Sequence, residues 1–68
     1  MRDPQRIYQL TDRLGYLWKT CMPDWRFGQL LAYLAAQTDI DPFYVEDDQW
    51  YSIIGSTIDK ALTQKGRP

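Results

Sequence analysis

Apolar residues recur at helical spacing from the start of the chain. Ile7, Leu10, Leu14, Leu17 and Cys21 follow one another at intervals of three and four residues, which sets them on one stripe of an α-helix. Asp3 followed by Pro4 supplies the start: a capping carboxylate precedes a proline whose fixed φ suits the first helical position. Tyr8, Gly15 and Trp18 run along the flank of the stripe. Glycine inside a helix costs about 1 kcal/mol relative to alanine, so Gly15 predicts a notch where another helix packs closely. Met22-Pro23-Asp24 ends the helix, because proline disfavours helical geometry in the residue before it, and Asp24 is then placed to cap the next helix.

A second helix is predicted from about Trp25 to Gln37, antiparallel to the first because the connection is short. Phe27, Leu30, Leu31, Leu34 and Ala35 form its core face, with Trp25, Arg26 and Tyr33 elsewhere. Thr38-Asp39-Ile40-Asp41-Pro42 reads as a loop. Phe43-Tyr44-Val45 then reads as a short extended plug, and alternation sends Phe43 and Val45 inward and Tyr44 outward. Glu46, Asp47 and Asp48 fall where the third helix begins, and acids there satisfy free amides and complement the helix dipole. That helix is predicted from about Gln49 to Gln64, with Trp50, Ile53, Ile54, Ile58 and Leu62 on one face and Gly66 as its stop. Gly28 and Gly55 sit inside the second and third helices as Gly15 does in the first, which suggests close helix crossings. The fold class expected is all-α: one compact three-helix domain spanning residues 1–68, with an extended insert at about 43–45.

Composition narrows the function classes. Sixty-eight residues make one domain, near the lower limit for a fold sustained by its core alone, and 44% apolar content with 15% aromatic is globular rather than disordered. Cys21 is the single cysteine and there is no histidine, so neither an internal disulfide nor the usual zinc ligand sets can be assembled. A reducing, cytoplasmic setting fits. No stretch reads as a signal peptide, and no apolar run approaches the roughly 20 residues needed to span a bilayer. Net charge is -1, but Met1 to Leu30 carry five basic and three acidic residues, whereas Leu31 to Asp59 carry six acids and no Lys or Arg.

Several residues also carry a resemblance. Arg2-Asp3-Pro4, Arg6-Ile7, Trp18, Pro23-Asp24, Arg26, Gly28-Gln29-Leu30 and Asp41-Pro42-Phe43-Tyr44 with Glu46-Asp47-Asp48 resemble a pattern in small proteins of bacteria and their phages. The resemblance spans most of the chain and implies a compact helical fold and a microbial or viral origin. It carries over no functional residue. The chain departs from the pattern after Asp48, where Gln49-Trp50-Tyr51 is more aromatic than the acidic, leucine-rich helix expected there.

Catalysis is poorly provided for. Without histidine, Ser52, Ser56 and Cys21 have no base of the usual kind, and a chain this short hardly forms a deep cleft around paired carboxylates. A calcium loop beginning at Asp39 fails at Phe43, Tyr44 and Trp50, and the isolated glycines make no phosphate-binding loop. No enzyme activity, metal or cofactor is expected. A helix-turn-helix-like nucleic-acid binder is the alternative, with Arg2, Arg6, Arg13, Lys19 and Arg26 as its cations, but its recognition helix would present Glu46, Asp47 and Asp48 to phosphate. The favoured reading is a small protein-interaction module, of the kind a phage would use to inhibit or modulate a host protein. Ten aromatics exceed what three short helices seal, so some are exposed to anchor a basic protein surface or a second copy. Tyr44, Glu46, Asp47, Asp48, Tyr51, Trp25 and Arg26 are the candidate partner-binding residues.

Overall fold

The computed structural model describes residues 3–65, with side chains through residue 63. Three helices account for most of it: α1 (Gln5–Cys21), α2 (Phe27–Ala35) and α3 (Asp47–Lys65), with a short 3-10 turn at Pro42–Tyr44 before α3. No strand occurs among the described residues. The all-α class and the order of elements are those read from the sequence, while Gly66 lies outside the described residues.

α1 and α3 form the main interface and run parallel. Arg6 pairs with Asp47 at one end, and one helical turn or two further on Arg13 reaches the Tyr51 carbonyl oxygen and Gly55. α2 brings the chain back between these two directions. Just beyond it, the Gln37 side-chain amide donates to the buried Thr57 hydroxyl on α3 at 2.9 Å, and that hydroxyl donates in turn to the Ile53 carbonyl oxygen. Leu17, Leu30, Leu34, Ile54 and Ile58 make the buried core, one or two from each helix. Leu10, Leu14, Trp18, Cys21, Met22, Trp25, Trp50 and Ile53 pack around it.

The ends of the helices depart from expectation where side chains compete for the backbone. At α1 the Asp3 carboxylate accepts from the Gln5 amide, as a cap should. Asp24 does not cap α2. The helix starts two residues later, after an extended Arg26 whose amide is held by the Gln29 side chain at 2.8 Å. Trp25 uses the freed turn to reach the core, and its carbonyl oxygen accepts from the Trp18 indole at 2.8 Å. Trp25, expected on the surface, is therefore half-buried. α2 also stops early, at Ala35, ahead of a loop in which the Thr38 hydroxyl and the Asp41 carboxylate accept from the amides of Ile40 and Phe43. Such local bonds compete with helix propagation.

Two expectations about packing are corrected. Ile7 and Leu31, assigned to core stripes, are 48% and 44% exposed, and Phe27 is also half-exposed. A nine-residue α2 is only about 13 Å long and cannot cover a 17-residue α1, so Ile7 lies beyond its reach. The glycines are not helix crossings: a side chain at Gly15 or Gly28 would meet nothing, and what fills the space over Gly55 is the Arg13 guanidinium.

Candidate functional site

The 3-10 turn is built by two neighbouring residues. Pro42 fixes the first φ of the turn, and the Asp41 carboxylate accepts from the Phe43 amide at 3.0 Å while its carbonyl oxygen accepts from Tyr44 at 2.8 Å. Val45 follows in extended conformation and is buried. It anchors the turn, whereas the sequence expectation that Phe43 also points inward is overturned. An extended strand would have alternated the two side chains; the tighter turn sends both outward. Phe43 is 84% exposed and Tyr44 69%, their rings edge to face at 5.0 Å between centroids. Two large aromatic side chains at solvent on a braced turn are the least expected feature of the surface.

Acids flank this pair along the chain. Asp39, Asp41, Glu46 and Asp48 are exposed, with the Glu46 amide held by the Gln49 side chain at 3.0 Å, a helix start that leaves Asp47 in the first turn of α3. Asp47 is half-buried and pairs with Arg6 across the α1–α3 interface. Arg6, Leu10, Asp47, Asp48 and Tyr51 line a hollow of about 240 Å³ one turn further along. Tyr51 itself lies under the Arg13 guanidinium, 3.7 Å from ring centroid to the carbon at the guanidinium centre. Cation and ring attract each other in this geometry.

The candidate residues thus fall in two places. Tyr44, Glu46, Asp47, Asp48 and Tyr51 gather around the start of α3. Trp25 and Arg26 sit at the far end of α1: Trp25 is edge-on to Tyr33 and bonded to Trp18, about 18 Å along the helix axis from Arg6. Phe43 was missed as an exposed residue, although Asp41-Pro42 is a recognisable signal for a tight turn. Arg13 was missed as a partner of Tyr51. The only hint in the sequence was the glycine one turn beyond Tyr51, which leaves room for a long side chain.

A second, wider groove of about 810 Å³ opens between α1 and α3 on the Arg13 side, lined by Asp12, Arg13, Tyr16, Ser52, Ser56 and Asp59 among others. Its two serine hydroxyls have no imidazole beside them, since the chain contains none. Among the described residues, no group of three or more carboxylates or thiols is placed to hold a metal ion, and no helix is long and apolar enough to cross a membrane. No family model, no curated protein and no solved structure matches the chain. What defines it is a small three-helix domain that presents an aromatic pair flanked along the chain by acids.

Proposed function

We propose that the chain is a non-enzymatic protein-interaction module that inserts Phe43 and Tyr44 into an apolar hollow on a partner whose rim is basic. The observation that carries this reading is the exposure of both rings on a turn held by Asp41, Pro42 and Val45. Rings already fixed in place lose little freedom on binding, and burial contributes roughly 1.5–3 kcal/mol for each large side chain. Asp39, Asp41, Glu46 and Asp48 would meet a basic rim, adding association rate and selectivity more than affinity. A host protein that handles nucleic acid has such a surface, and the resemblance to small bacterial and phage proteins suits an inhibitor acting in the cytoplasm.

The nucleic-acid alternative is less well supported. Two of its five cations, Arg6 and Arg13, are engaged with Asp47 and Tyr51 on α3, and four exposed acids stand where the recognition helix begins or just before it. Affinity capture from a bacterial lysate, followed by binding measurements with the purified partner, separates the two. Tyr44→Ala with Asp48→Asn is expected to weaken protein binding at least ~10-fold with the melting temperature unchanged, and to leave duplex DNA unbound at physiological salt. Salt-sensitive DNA binding that strengthens in the same variant would reverse the assignment.

A further inference from the structure

We propose that the exposed flank of α2, the Phe27–Leu31 ridge with Gly28 and Ala32 beside it, is the contact between two copies of this chain, laid antiparallel about a two-fold axis. The helix carries no charged residue from Phe27 to Ala35, in a chain that is 25% charged. Leu30 and Leu34 are buried, yet Phe27 and Leu31, one turn apart on the neighbouring flank, are 47% and 44% exposed, although one side of the Phe27 ring stacks on Trp18 at 5.4 Å. Gly28 and Ala32 form the adjacent row, and a side chain at Gly28 would meet nothing. The row is a shallow furrow beside the Phe27–Leu31 ridge. An apolar ridge that continues past the buried stripe offers surface for a second helix, and a ridge beside a furrow is complementary to its own two-fold copy.

Electrostatics selects both the occupant and its direction. The N-terminal end of a helix carries partial positive charge, and Arg26 adds a cation there, where its own helix disfavours it. Asp24 is the one acid in that turn, and no ion pair among the described residues joins it to Arg26. The C-terminal end carries partial negative charge with no basic residue in its last turn, and Asp39 and Asp41 follow. Each α2 thus begins positive and ends negative. An antiparallel copy sets each Arg26 against the other chain's C-terminal carbonyl oxygens; a parallel copy would stack like ends. Two-fold pairing also closes at two chains instead of growing into a filament. The small core gives a further reason, because domains of this size gain stability by association.

Sedimentation equilibrium of the full chain, from low to high micromolar, reads the mass directly. The expected result is a shift from the 8.1 kDa monomer to twice that mass. Leu31→Lys is expected to hold the monomer mass throughout while helical circular dichroism stays unchanged, since Leu31 is 44% exposed and a lysine stem there can carry its ammonium into solvent. Arg26→Glu supplies a reading that a fold defect would not give: a carboxylate suits the start of α2, so the dilute monomer should melt no lower, while the dissociation constant of the pair rises ~10-fold or more. A monomer at every concentration overturns the proposal. So does a dimer that survives Leu31→Lys, or one abolished instead by Phe43→Ala with Tyr44→Ala.

Discussion

Gly15 and Gly55 both interrupt helices, yet their surroundings call for opposite responses to the same substitution. Nothing lies near Gly15, so Gly15→Ala is expected to raise stability by about 1 kcal/mol, read as a higher denaturant midpoint with unchanged slope. At Gly55 the new methyl would overlap the Arg13 guanidinium, which would have to leave the Tyr51 ring and carbonyl oxygen. Gly55→Ala is therefore expected to be stabilising by about 1 kcal/mol in an Arg13→Ala background and clearly less so in the wild type. Equal effects in both backgrounds would show that the Arg13 contact contributes nothing. The sequence distinguished neither glycine from the other, because what sets Gly55 apart is the Arg13 side chain, some forty positions earlier in the chain. Phe43 failed for a related reason: alternation is a rule for extended backbone, and Asp41 with Pro42 had already committed the segment to a turn.

Among the elements, periodicity located all three helices but not which part of each stripe would be covered. Leu17, Leu30, Leu34, Ile54 and Ile58 were legible as core because they sit where three helices overlap. Ile7 carries the same spacing signal and remains exposed, since the length of α2 decides what it can cover and that length is set by turn chemistry at its two ends; Phe27 and Leu31 share the signal too, but sit at the edge of the α2 stripe and are only half covered. The tie between the end of α2 and α3 could not be foreseen from pattern either. Thr57 is a polar residue at a buried position, satisfied by Gln37 and Ile53. Thr57→Val keeps the shape, removes both bonds and leaves the Gln37 amide without its acceptor, so a loss of about 1 kcal/mol is expected in urea unfolding. Trp18→Phe should cost a similar amount by removing the indole bond to the Trp25 carbonyl oxygen, beyond any change in packing. A wild-type midpoint in either variant would show that these bonds do not hold α2 in place.

For the whole molecule, the six buried apolar side chains among the described residues are a modest core, and a chain of 68 residues has about 3–10 kcal/mol of net stability to draw on. Leaving Phe43 and Tyr44 at solvent contributes nothing to that figure. The acidic residues around the turn were legible as a charge pattern, but on the proposed reading their use is not, because the surface they would meet belongs to another molecule. The central claim is that these two rings serve recognition and not folding, and the most direct test measures both properties on one variant. Phe43→Ser with Tyr44→Ser should unfold within about 0.5 kcal/mol of the wild type, as surface substitutions do, while retention of the captured partner falls at least ~10-fold. Undiminished capture by a variant of wild-type stability, or a variant that loses several kcal/mol, would contradict it.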